Sequence, residues 1–419
     1  MASTLISKPQ PPKLGTPPAS GASFDVIIIG GGTMAVAAAY QASARGLNTL
    51  LLEQFSTICS DRASSGGTSR MFRIMYAPAH MVQLAEIALA MWREIEVQQG
   101  YEILRTQPLV FYGAAEQSVE GNIGQMKEVL AQLGVPHTWY PDPSGLLQQY
   151  PAFQTMPSDY IGLVQANSAV IEVPASYATF AVWAPGCTFL SNQPATVTGS
   201  SPGGPYQVTC PAGTYSATHL ILCPGAWTNS VLAPFNFQLN LKIWQMTIGY
   251  FQAAVGQYQY PLWYEFGPPG PNGQQQLFYG FPPEEGSSLL KISADFTNNI
   301  YTDPSQCTYQ PDPQILASLG KFVQQRFNGV LPIPMTSTTC LYTMSADGEM
   351  ILDNLPGYQN VSIFTGGSGR GFKFTPLFGR ILVDLATKGK TYYDISPFSI
   401  NRHGIRAGDP PRRARAGVV

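Results

Sequence analysis
Phe24-Asp25-Val26-Ile27-Ile28-Ile29-Gly30-Gly31-Gly32-Thr33-Met34-Ala35 decides the fold of this chain. Its first half is a β-branched run closing on glycines, the pattern of a strand buried on both faces in a parallel sheet. The strand feeds into G-x-G-x-x-A, and the alanine-rich stretch behind it predicts a helix to about Ala44. Gly46 follows, then a second strand from Asn48 to Leu52 that ends in Glu53. Each position has a mechanical reason. Gly30 permits the tight turn, Gly32 lets backbone approach a pyrophosphate at the helix N-terminus, Ala35 keeps helix and strand close, and Glu53 can accept ribose hydroxyls. The glycines alone are a weak signal, but strand, helix and an acid about 20 residues on together define a dinucleotide-binding unit. The acid at Glu53 disfavours a 2′-phosphate and leaves NAD and FAD both open.

Length and composition bound the rest. A chain of 419 residues is long enough for a cofactor domain and a substrate domain, each burying a core. A net charge of −2 with 11% charged residues offers no basic field for nucleic acid. No apolar run approaches the roughly 18 residues that span a bilayer, so a cytoplasmic enzyme is expected, with no membrane partner. Cys59, Cys187, Cys210, Cys223, Cys307 and Cys340 are scattered without a C-x-x-C pair, which points to a reducing compartment rather than a disulfide framework. No metal is expected. Residues 1–23 hold five prolines, two lysines and no acidic or aromatic residue, a composition that does not order itself. That stretch lacks the apolar core of a secretory signal and the arginines of a transit peptide. The end, 403–419, reads as a flexible basic tail.

Later segments choose between the cofactors. They are Cys340-Leu341-Tyr342-Thr343-Met344, Thr68-Ser69-Arg70-Met71-Phe72-Arg73, Phe278-Tyr279-Gly280-Phe281-Pro282 followed by Leu290-Lys291, and Asp394-Ile395-Ser396-Pro397-Phe398-Ser399-Ile400-Asn401-Arg402. A further strand, Val361 to Thr365, enters Gly366-Gly367-Ser368-Gly369 and continues through Gly371 to Lys373. In order and spacing these resemble the monomeric sarcosine oxidase and N-methyltryptophan oxidase family: its C-x-Y-T, its T-R-x-x-R with one residue inserted after the threonine, its Y-G-F-P…L-K and its D-I-x-x-F-S-I-N-R. The resemblance runs from Phe24 to about Arg402, and it favours FAD.

What the resemblance implies is a fold mixing α/β and α+β. A Rossmann-like FAD-binding domain of the glycine/D-amino acid oxidase type would use residues 24–105, 160–235 and 338–402. A second, β-sheet-based substrate domain would use 106–159 and 236–337. Cys340 would hold the flavin through a thioether at its 8α carbon, and Gly367, Gly369 and Gly371 would offer backbone near the ring. Arg73 and Lys373 would grip the substrate carboxylate, a task suited to a guanidinium with two parallel donors. Lys291 would promote reaction with dioxygen, where a fixed positive charge favours an anionic product. Arg70 would stabilise negative charge on the reduced ring, while Tyr342 and Tyr279 would line the substrate cavity.

Two departures bear on the substrate. The family's sarcosine oxidases carry a histidine four residues after the lysine, where this chain has Asp295, and another shortly before the first loop arginine, where it has Gly66 and Gly67. Asp295 is similar instead to the branch that oxidises piperideine-2-carboxylate in nikkomycin biosynthesis; it could bind a ring nitrogen, or simply partner Lys291. Arg370 could meet a second substrate acid or balance Asp295. The insert Gly267–Gly273 reads as a proline-stiffened loop. The expected function is that of a monomeric FAD-dependent amine oxidase, passing a hydride from a small or cyclic secondary amino acid, or a related imine, to covalent flavin and then to dioxygen. A primary L-amino acid oxidase, a flavin dehydrogenase with another acceptor, and a non-catalytic flavin-binding subunit are the alternatives.

Overall fold
The computed structural model describes residues 14–114, 120–199, 203–269 and 275–409. Of the tails expected at 1–23 and 403–419, residues 1–13 and 410–419 lie outside the described residues, as does the tip of the Gly267–Gly273 insert; the described remainder is tied into the fold, Gly15 N–H donating to the carbonyl of Phe189 at 2.9 Å and Ala407 N–H to that of Gln238 at 3.0 Å.

Strand Ser23–Ile29 runs through an eight-stranded sheet, parallel to Thr49–Leu52 on one side and to Gly213–Leu222 on the other. Val26 to Ile29 are buried, which explains why that run is continuously apolar rather than alternating. The helix after the glycines spans Thr33–Ser43. Its alanines let a second helix, Thr375–Lys388, approach so closely that a Cβ on Gly379 would stand 2.7 Å from the backbone carbon of Ala37. Strand Tyr358–Thr365 lies parallel to Gly213–Leu222. The carboxyl ends of three neighbouring parallel strands therefore deliver Gly30, Cys223 and Gly366 to one edge, the place where open α/β sheets bind ligands.

A nine-stranded sheet forms the second layer. Leu241–Ala253 pairs antiparallel with Val330–Ser345, placing Cys340 opposite Met246 and Tyr342 opposite Trp244. On its other side lies Leu289–Ala294, followed by Gln275–Phe281, Leu262–Pro269 and Leu109–Gly113. Two strands disagree with the boundaries read from the sequence. Ile161–Gln165 pairs with Leu109–Gly113 in this sheet, and Val330–Ser345 is one uninterrupted strand through residue 338. Residues assigned to 160–235 and 338–402 thus begin inside the second sheet, because motif resemblance carries no information about hydrogen-bond partners. A small third sheet joins Ser69–Phe72, Leu104–Thr106 and Ala169–Glu172.

Helix Pro313–Arg326 backs the nine-stranded sheet. Asp312 caps it by accepting from the N–H groups of Gln314 and Ile315, with Pro313 pre-set for the first turn. Phe322 stacks on Trp263, ring centres 5.3 Å apart. Among the described residues no helix is long and apolar enough to cross a membrane, and no group of His, Cys, Asp and Glu could hold a metal ion.

At the end of this helix Arg326 donates to both oxygens of buried Glu265 at 2.8 and 2.9 Å, and Tyr160 donates to the same carboxylate at 3.1 Å. Removing the acid strands a guanidinium largely out of water. Glu265→Ala is expected to cost about 3 kcal/mol, read as a lower urea midpoint by tryptophan fluorescence; an unchanged midpoint would contradict this account of the pair.

Candidate active site
A cavity of about 330 Å³ opens at the carboxyl edge of the eight-stranded sheet. Gly30 to Met34, Glu53, Thr343 and the turn through Gly367, Gly369 and Gly371 line it. Gly30 has φ +102°, and a Cβ there would stand 2.3 Å from the carbonyl oxygen of Cys223. Only glycine fits this turn. Glu53 accepts from the N–H of Gly31 at 2.6 Å and of Phe55 at 2.8 Å. Burial raises its carboxyl, and those donors partly hold it down. Ala35 is fully buried and seats the helix on the strand.

The walls fit a dinucleotide cofactor on two structural grounds. The backbone at Gly30 to Gly32 has no side chain between it and the cavity. Thr343 Oγ1 is a buried polar atom with no hydrogen-bond partner among the described residues, on the wall of that same cavity. Buried polar atoms are rarely left so.

A second, inner cavity of about 90 Å³ adjoins the first between the two sheets and shares Arg70, Tyr342, Ser368, Gly369 and Phe372 with it. One wall is a face of the nine-stranded sheet. Register places Phe111, Tyr264, Tyr279, Ser293 and Ile248 in one cross-strand row. Lys291, two residues before Ser293, projects from the same face, and Asp295 follows two residues after it. Tyr264 stacks on Tyr279 with ring centres 6.0 Å apart. Tyr279 and Tyr342 share a hydrogen bond of 3.0 Å. Cys340, half-buried, is on this cavity's wall; burial raises its thiol, and Arg70 and Lys291 oppose that.

Charged side chains line the rest of the cavity. Arg73, 4% exposed, pairs with Glu120 and lies over the rings of Tyr76 and Phe111 at 4.4 and 5.2 Å. Its Nη1 is buried without a partner among the described residues. Arg370 donates to the carbonyl of Gly348 and stands 3.8 Å from Glu349. Lys373, 5% exposed, donates to the carbonyl of Arg370 at 2.9 Å. Arg70 is pinned by the carbonyls of Ser69, Ser64 and Gly66.

Burial moves the titrations here. It pushes Lys291 down to about 7, helped by Arg70, while Ser69 accepts from Nζ through its carbonyl at 2.8 Å and its hydroxyl at 3.3 Å. It lifts Asp295 to about 6, with repulsion from Glu120 adding and a 2.6 Å hydrogen bond from Tyr264 opposing. Burial also raises Glu120, but Arg73 overcomes it and holds the carboxyl below the usual range. The partner of Asp295 is therefore Tyr264 rather than Lys291, and the acid beside Arg370 is Glu349 rather than Asp295.

Glu120 and Tyr264 were not found in the sequence. Tyr264 becomes visible only through strand register. Glu120 has no motif around it.

Fold and cavities together define a flavin-dependent oxidoreductase. The chain belongs to the FAD dependent oxidoreductase (DAO) family, which it matches over residues 25–385. It is 28% identical over 392 residues to monomeric sarcosine oxidase from Bacillus sp. (strain NS-129), covering 91% of this chain and 98% of that one. N-methyl-L-tryptophan oxidase from Salmonella arizonae is 30% identical over 389 residues, covering 90% of this chain and 99% of that one. Among solved structures, NikD, described as an unusual amino acid oxidase essential for nikkomycin biosynthesis, superposes with a TM-score of 0.81 at 26% identity, over 90% of this chain and 97% of that one. The family read from the motifs and the FAD assignment stand.

Gly30→Val is expected to give protein purified without its flavin absorbance, because the side chain would displace the backbone at Cys223. Full flavin content in this variant would contradict the account of the turn.

Proposed function
We propose that this chain is an amine oxidase: it takes a hydride from the carbon bonded to nitrogen in a small or cyclic secondary amino acid, or a related imine, so that the C–N bond is oxidised, and returns the electrons to dioxygen as hydrogen peroxide. The observation that carries this reading is the inner cavity, where Arg73 Nη1 is buried and unpartnered among the described residues and shares the lining with Lys373, Tyr264, Tyr279, Asp295 and Lys291. A carboxylate is the ligand such a guanidinium recognises, since its donors match both oxygens. Relatives named for sarcosine and N-methyl-L-tryptophan support a secondary amine as the partner group. In this reading the eight-stranded sheet carries the cofactor and the nine-stranded sheet the substrate, in a monomer working in the reducing cytoplasm, as the unpaired cysteines support.

FAD, when bound, supplies the hydride acceptor and the route to dioxygen. The chain's own residues do the rest. Arg73 and Lys373 orient the substrate by its carboxylate, and Tyr264, Tyr279, Phe281 and Tyr342 keep water from its reacting end. None of the four histidines lines the inner cavity, which suits direct hydride transfer from a neutral amine. Asp295, hydrogen-bonded to Tyr264, is placed to meet a ring or second nitrogen. Cys340 is the residue we assign to a thioether with the flavin.

Two measurements test the reading. Acid precipitation should leave the yellow colour in the pellet, and Cys340→Ala should release it; colour in the supernatant of the unmodified protein would remove the thioether. Lys291 carries its charge below about 7 and loses it above. Reoxidation of the reduced enzyme by dioxygen should therefore slow as pH rises through that value, and Lys291→Met should slow it by on the order of 10²-fold at neutral pH. A rate indifferent to both, or reoxidation without peroxide, would favour the dehydrogenase reading.

A further inference from the structure
The cations around the inner cavity are not equally provided with acids. Arg73 has Glu120, and Arg370 has Glu349. Lys373 has no acid within ion-pair distance among the described residues; its Nζ makes one hydrogen bond, to the carbonyl of Arg370, and lies 5.7 Å from the ring centres of both Tyr76 and Phe374. Its backbone is fixed, since Trp92 Nε1 donates to its carbonyl at 2.9 Å. The titratable and charged groups facing it are Arg73, Glu120, Arg370, Asp295 and Tyr76. Burial first, and then the guanidinium of Arg73, push this amine well below the ordinary lysine range, against the pull of Glu120 and Asp295.

An arginine cannot give up its proton at such a site, but a lysine can. An amino acid arrives from water as a carboxylate with an ammonium, and only the neutral amine can release a hydride. We propose that Lys373 takes the ammonium proton of the incoming substrate: one N–H bond of R₂NH₂⁺ breaks, one Nζ–H bond forms, and the resulting lysine ammonium pairs with the substrate carboxylate. No electrons move in this step and no co-reactant is needed. The transfer removes two mismatches at once, because a carboxylate beside an uncharged lysine and an ammonium beside guanidinium groups are both poorly paired. Asp295 is the weaker acceptor, as Tyr264 already donates to its Oδ2.

This rests on the amine-oxidase reading, and binding of an amine-free ligand separates the two. Cyclopentanecarboxylate has the carboxylate but no ammonium, so Lys373 must draw its proton from solvent. Calorimetry on the flavin-loaded enzyme at about pH 8, in two buffers of different ionisation enthalpy, should show uptake of about one proton per ligand bound. Lys373→Arg, which stays charged, should bind with uptake near zero. Binding without proton uptake by the unmodified enzyme overturns the proton-acceptor role alone. Uptake that persists in Lys373→Arg overturns it, in favour of the aspartate if it disappears in Asp295→Asn and of the other cavity lysine if it disappears in Lys291→Met. No binding heat at all overturns the carboxylate-site reading and this proposal with it.

Discussion
Arg73 and Glu120 form an ion pair whose side chains are 5% and 8% exposed. Charges so far out of water are costly unless paired and hydrogen-bonded, and this constraint organises the seam between the two sheets. Glu120 leaves Nη1 of Arg73 without a partner among the described residues. Arg370 is drawn to Gly348 and Glu349, and Arg70 is held by three backbone carbonyls. Lysines in the same surroundings respond differently. Lys291 and Lys373 are pushed toward their neutral forms, which an arginine would resist. The distribution of Arg and Lys around the cavity thus separates fixed charges from adjustable ones.

The architecture makes this seam unavoidable. Parallel strands deliver Gly30, Cys223 and Gly366 to one edge of the first sheet, while antiparallel register brings Tyr264, Tyr279, Lys291 and Asp295 to one face of the second. Val330–Ser345 links them chemically: Thr343 faces the larger cavity, Cys340 faces the inner one, and Tyr342 reaches both. A residue shift in that strand would exchange the two sets, since alternate side chains point to opposite faces.

Much of this was legible in the sequence. Gly30 and Gly32 sit in a motif whose geometry is local, so strand, turn and helix could be read without knowing the rest. Arg73, Lys291, Lys373 and Cys340 were named because each stands in a recognisable segment, and all four line one cavity. Glu120 could not be named, because its place depends on tertiary packing against Arg73, 47 positions away in the chain. The strand boundaries at Ile161–Gln165 and Val330–Ser345 were hidden for a related reason: pairing partners decide which sheet a strand joins. The partners of Asp295 and Arg370 were likewise matters of packing.

The claim at the centre is that the inner cavity presents a secondary amino acid to FAD. Anaerobic titration with a cyclic secondary amino acid such as L-proline or L-pipecolate, following the visible flavin absorbance, tests it most directly. The account predicts bleaching by at least one member of a small panel of cyclic and N-methyl amino acids, with recovery on admission of air and release of one peroxide per substrate oxidised. A flavin that stays oxidised with every member of such a panel, or that is bleached by primary amino acids alone, would contradict it.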